Sequence, residues 1–162
     1  MSEHSDPNLL AFIPQGEGED FDIAGAKLTW KVKAEDTGMR FCFFEQVLAP
    51  GDVVPLHLHH YTEAFYILKG SVTFFKEPGD KQPFRSKAGD VVVAKPTGLH
   101  GFVNEGDQEA RLLSISVPEH QRFFDAVADA DREQSFATMA PEAAMLRVAT
   151  IGEQTDSVFA RP

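Results

Sequence analysis

His57 and His59 stand two residues apart in a stretch, Val53 to His59, that reads as a strand. In an extended strand, side chains two apart point to the same side, so both imidazoles face one way and Leu58 the other. Two imidazoles on one face are the beginning of a chelate. Glu63 opens the next apolar run, Ala64-Phe65-Tyr66-Ile67-Leu68, where an antiparallel neighbour could return its carboxylate to the same cavity. An unpaired carboxylate is costly to bury there, and a cation relieves that cost. His100 follows Val91-Val92-Val93-Ala94 and a turn, so it approaches from a different strand. Three imidazoles and one carboxylate make a mixed nitrogen and oxygen site suited to one divalent Fe, Mn, Ni, Co, Cu or Zn ion, whereas calcium and magnesium prefer more oxygen. On an octahedral ion, four protein ligands leave two open positions for water, dioxygen or substrate. A single strand histidine is ordinarily a packed or solvated residue; four candidate ligands at this spacing change that reading. The other histidines carry less. His60 faces away from His57 and His59 and reads as a rim residue, His4 sits in an N-terminal arm, and His120 opens a helix and reads as solvated.

The elements that position these groups are mostly strands. Lys27 to Lys33 alternates polar and apolar residues with period two. Further short runs follow: Met39 to Leu48, Val53 to His59, Glu63 to Lys69, Ser71 to Glu77, Asp90 to Ala94, Gly101 to Asn104 and Ala110 to Val117. Turn residues such as Gly70, Pro78-Gly79-Asp80, Ala88-Gly89 and Glu105-Gly106-Asp107 separate them. Many short strands with no intervening helices predict an all-β antiparallel sandwich or barrel. After Pro118 the period becomes helical over 119–129, and a second helix is expected from Pro141 to about Thr150, with Gly152 just past its end. Residues 1–25, rich in Gly, Pro and acids, are expected to form an arm; 26–118 the β domain; and 119–162 a helical extension packed on it.

At 162 residues the chain fits one domain, and with 43% hydrophobic residues, among them fourteen Phe, it can bury a core without disulfides. Cys42 is the single cysteine and reads as a core residue; no disulfide or cysteine-rich zinc site is possible within one chain. A net charge of −10 disfavours nucleic acid and anionic membranes as partners. The first ten residues lack a basic start followed by an apolar run, and no stretch has the length of a membrane helix, so a cytoplasmic protein is expected.

The ligand spacing also carries a family resemblance. Gly51, five residues, His57, one residue, His59, three residues, Glu63, six residues, Gly70 matches the first cupin motif at every defined position. Gly89, His100 and Asn104 stand at the offsets of the second motif, but Lys95 and Thr97 occupy its Pro and Gly places, with Pro96 and Gly98 one position later. The resemblance covers about residues 40 to 117. It implies a six- to eight-stranded antiparallel jelly-roll barrel, a metal held by residues 57, 59, 63 and 100, and a homodimer. Val54-Pro55-Leu56-His57, the run Glu63 to Gly70, and Val117-Pro118 leading into a Phe-Phe helix resemble the bacterial single-domain cupins grouped with quercetin 2,3-dioxygenase.

The function expected from these signals is a metal-dependent, oxygenase-like enzyme, a dioxygenase acting on a small, largely apolar enol, phenol or diketone. Phe is concentrated in the predicted strands, which suits an apolar cavity, and Phe43, Phe65 and Phe102 are the candidate pocket residues. Glu63 is the candidate catalytic base for the substrate hydroxyl. The alternatives are a metal-dependent isomerase or lyase on a small metabolite and a non-catalytic small-molecule-binding module.

Overall fold

The computed structural model of the chain describes residues 10–23 and 26–160, so His4 lies outside the described residues. Its strands are β1 (Glu19–Ile23), β2 (Ala26–Val32), β3 (Cys42–Leu48), β4 (Val53–Leu58), β5 (Glu63–Lys69), β6 (Ser71–Phe75), β7 (Phe84–Lys87), β8 (Val91–Ala94), β9 (His100–Val103), β10 (Ala110–Ser116) and β11 (Val158–Phe159). Two helices, α1 (Pro118–Glu133) and α2 (Pro141–Gln154), come between β10 and β11. Each helix begins with Pro at its first turn, where the missing N–H costs nothing. Among the described residues no helix is long and apolar enough to cross a membrane.

The strands form two antiparallel sheets, ordered β1-β2-β3-β10-β5-β8 and β11-β4-β9-β6-β7, and among the described residues no strand pairing closes one sheet on the other. The sheets meet through a shared core. Leu48, Phe65, Ile67 and Leu112 on the six-stranded sheet pack with Val72, Phe74 and Phe102 on the five-stranded sheet. A second core joins the β2 and β3 end of the larger sheet to the helices, through Leu28, Trp30, Phe44, Phe123, Phe124, Val127 and Val148.

Three strands lie outside the sequence-based pattern. The segment expected as an arm supplies β1, which pairs with β2 from Glu19↔Trp30 to Ile23↔Ala26. Its alternation is visible in Asp20-Phe21-Asp22-Ile23, with Phe21 and Ile23 packed on the helical core. β7 is short and mostly exposed, and β11 has only two residues, held by its pairing with β4. Gly152 lies inside α2, not after it. A Cβ there would collide with the Ser157 carbonyl, so glycine permits the tight return from α2 into β11. Cys42 is fully buried, its Sγ–H donates to the Val117 carbonyl at 3.3 Å, and burial pushes its thiol up to about 12. It is a core residue.

Candidate metal centre

His57, His59, Glu63 and His100 converge: one ligand atom from each lies within 4.8 Å of all the others, and all four are buried. They come from both sheets. His57 on β4 and His100 on β9 are direct cross-strand partners in the five-stranded sheet, their rings 4.2 Å apart. Glu63 belongs to the six-stranded sheet, where β5 pairs with β8 and β10. It therefore reaches the histidines across the core, not as a hairpin neighbour of β4. His59 sits in the connection between the two sheets.

Each imidazole is oriented in the same manner. The Nδ1 atoms of His57, His59 and His100 lie 2.9, 2.8 and 2.8 Å from the carbonyls of Pro55, Tyr61 and Gly98. A carbonyl can only accept, so Nδ1 carries the proton and Nε2 presents its lone pair to the centre. Backbone acceptors in this position fix both ring orientation and tautomer, as around metal-bound histidines. The Nε2 atoms of His59 and His100 then lie 3.1 and 3.5 Å from Glu63 Oε2. Lone pairs aimed at a carboxylate require a cation or a proton between them. His100 Nε2 is buried with no hydrogen-bond partner, the signature of a donor atom intended for something other than protein. The residues therefore fit a single metal ion.

The electrostatics agree. Burial pulls the His57 imidazole down to about 3, with His100 adding to the effect, so it stays neutral and able to ligate. Burial also lowers His100, but the Glu63 carboxylate more than offsets it and leaves that ring raised. Burial alone would raise Glu63; the surrounding imidazoles, His120 first and then His100 and His59, outweigh it and hold the carboxyl well below its usual range. The other oxygen of Glu63, Oε1, accepts from the hydroxyl of Ser114 on β10.

Beside this cluster a cavity of about 600 Å³ opens between the sheets and the helices. Phe44, Phe65, Phe102, Phe123, Phe124 and Phe159 line much of it; among the described residues His57, Glu63, Gln46, Asp52, His120 and Ser157 are its polar members, with no Lys or Arg. Of the expected pocket residues, Phe65 and Phe102 line the cavity. Phe43 does not: strand parity turns it outward to stack on Phe41, and Phe44 faces inward instead.

His120 overturns its expected role. It is 5% exposed, with Nδ1 buried, unpartnered and 3.7 Å from Glu63 Oε1. Its ring packs between Phe124, Tyr61, Phe44 and His59. His120, Phe124 and Val127 share one face of α1 at i, i+4 and i+7, a signal that was available in the sequence. His60 is exposed, as expected, and its Nδ1–H donates to the Asp156 carboxylate. Tyr61, 3.0 Å from the Ser157 hydroxyl, ties the same connection to the C-terminal segment.

Residues 44–116 match the family model described as Cupin domain. No curated protein matches the chain. Among solved structures, the polyketide cyclase RemF from Streptomyces resistomycificus superposes with a TM-score of 0.59 at 20% identity, covering 67% of this chain and 80% of that one. A predicted oxalate decarboxylase from Thermotoga maritima gives 0.58 at 23%, covering 66% and 98%. A Cupin 2 conserved barrel domain protein from Salinispora arenicola gives 0.56 at 20%, covering 67% and 88%. At these identities the likeness is one of fold. The domain match and the likeness of fold concern the β domain, while α1, α2 and β11 lie beyond the matched residues.

Proposed function

We propose that the cupin domain of residues 44–116 holds one divalent transition metal on His57, His59, Glu63 and His100, and that the protein is a metal-dependent, oxygenase-like enzyme acting on a small, largely apolar enol, phenol or diketone. One observation carries the metal reading: three Nδ1–H groups are each committed to a backbone carbonyl, which leaves three Nε2 atoms and a carboxylate facing one another. When bound, such an ion supplies a Lewis acid with open coordination positions beside the cavity.

The chain's own residues define what can enter. A volume of about 600 Å³ is in the range of pockets that enclose drug-sized ligands. Its aromatic lining suits a largely apolar ring system. Ser114 holds Oε1 of Glu63 and Oε2 faces the histidine Nε2 atoms, so Oε2 would take the hydroxyl proton of a substrate by exchanging its place at the ion for the substrate oxygen. Metal analysis of protein purified without nickel resin, with oxygen uptake on flavonols, diketones and catechols, tests the proposal. Uptake with a substoichiometric ion, or none with a full one, would count against the oxygenase reading.

A second reading rests on His120. A buried imidazole lining the cavity adds a group suited to proton transfer, which favours an isomerase, lyase or cyclase that uses no oxygen. Product formation under anaerobic conditions separates this reading from the first.

The assembly we propose is a homodimer. Tyr66 and Leu68 on β5 and Val91 and Val93 on β8 form an exposed apolar face, extended by Ile115 and Phe41. On a chain carrying a net charge of −10, a second copy meets least repulsion on an uncharged face. Light scattering on Val91→Glu should show a monomer where the parent shows a dimer.

A further inference from the structure

Glu63, His57 and His120 all line the cavity and form its polar end at the metal cluster, with Glu63 3.7 Å from His120 Nδ1; Gln46, Asp52 and Ser157 are the other polar residues of an otherwise mainly apolar lining. His120 reaches the polar end from α1, outside the residues of the domain match, and is the one imidazole of this group that lies outside the four-residue cluster. Its Nδ1 has no accessible surface and turns toward Glu63 Oε1 at 3.7 Å. A carboxylate attracts a proton to the nitrogen that faces it, so Nδ1–H is the favoured tautomer. Because the residue still lines the cavity, the ring presents its other edge there, with the Nε2 lone pair as an acceptor. Phe124, Tyr61, Phe44 and His59 surround the ring and hold that direction.

We infer that His120 is a substrate-orienting residue: its Nε2 accepts a hydrogen bond from a hydroxyl on a neutral aromatic or enolic ligand and places that oxygen at the polar end, beside Glu63 and His57. The inference deepens the proposed function and rests on its choice of cavity. It sets a specificity. A ligand that donates from a hydroxyl gains a bond that its methyl analogue lacks.

Matched probes test this on the full chain, loaded with zinc to exclude redox turnover and again after chelation. 2-Naphthol carries one hydroxyl and 2-methylnaphthalene replaces it with a methyl of similar size. The wild type should bind 2-naphthol about ten-fold more tightly than 2-methylnaphthalene in the chelated protein, the effect of about one net hydrogen bond. His120→Phe should remove that preference by weakening 2-naphthol alone, and His120→Gln should restore part of it through its amide oxygen. Equal binding of both probes by the chelated wild type overturns the inference and requires no variant to fold. An equal loss of both probes in His120→Phe overturns it too, since packing alone does that. Failure of the wild type to take up zinc counts instead against the metal reading, and the chelated comparison still decides the role of His120.

Discussion

The backbone N–H of Thr97 donates to the carbonyl of His59 at 2.8 Å, and Thr97 makes this bond from the left-handed region, at φ +65°. Thr97 stands where the second cupin motif has its glycine. The turn before His100 keeps the conformation that glycine would supply and meets it with a β-branched residue, a costly choice of about 1–2 kcal/mol. Gly98, one position on, does not take over: a Cβ there would approach the Lys95 carbonyl at 2.9 Å, but its φ is not positive.

Thr97→Gly should therefore stabilise the protein. Relief of the left-handed strain, less the greater entropy of glycine in the unfolded chain, leaves about 0.5–1 kcal/mol, or roughly 2–3 °C in Tm. Calorimetry on the metal-free protein checks it, and a fall in Tm would contradict the strain.

Asn104, the last residue of the same motif, has a structural duty. Its Nδ2 donates to the carbonyls of Leu48 and Gln108, and its Oδ1 accepts from the Gly106 N–H, all at 3.0 Å or less in a buried position. Asn104→Ala leaves those backbone groups unpaired, so a loss of about 2–4 kcal/mol in urea unfolding is expected, with metal stoichiometry unchanged below the melting point. A drop in stoichiometry in the folded variant would assign Asn104 to the site itself.

Acid should weaken the metal-free protein before it protonates most carboxylates. Burial holds His57 near 3 and His120 near 4, both below the value of about 6.5 in an unfolded chain. Between those values the unfolded chain binds protons that the folded one refuses. The contribution of these residues is thus whole above about pH 6.5 and is lost as pH falls toward 4, a few kcal/mol in all. The raised His100 acts oppositely, losing its contribution as pH climbs past its folded value, so it does not mask the acid limb. The urea midpoint of stripped protein should fall from about pH 6.5 to pH 4.5; a flat profile over that range would mean these rings are solvated.

Glu63→Gln should separate retention from turnover. The three imidazoles keep their backbone acceptors and most of the ion, while the oxygen that takes the substrate proton is gone. Metal content within about two-fold of wild type, with turnover down by about a hundred-fold or more, is the expected pair of results. Equal loss of both would leave Glu63 as a ligand and nothing more.

Much of the candidate centre was legible in the sequence because strand parity is strict. His57 and His59 had to share a side, and Glu63 and His100 each stood at the start of their own apolar strand. Sheet membership was harder to read, since local alternation does not reveal partners: β4 and β5 are consecutive yet lie in different sheets. Parity also fails when the starting phase is unknown, which is how Phe43 took the place of Phe44. The solvated reading of His120 fails for a different reason. Its helical face was apolar, but nothing local says that this face closes on a cavity rather than on solvent.

His57 and His100 hang from one sheet and Glu63 from the other, with His59 in the chain that passes between them. An ion shared by these groups is a tether across the molecule's interior, in a protein whose lone cysteine rules out a covalent staple within the chain. Unlike a disulfide, that tether follows the free concentration of ion, so the rigidity of the whole scaffold becomes a readout of metal supply.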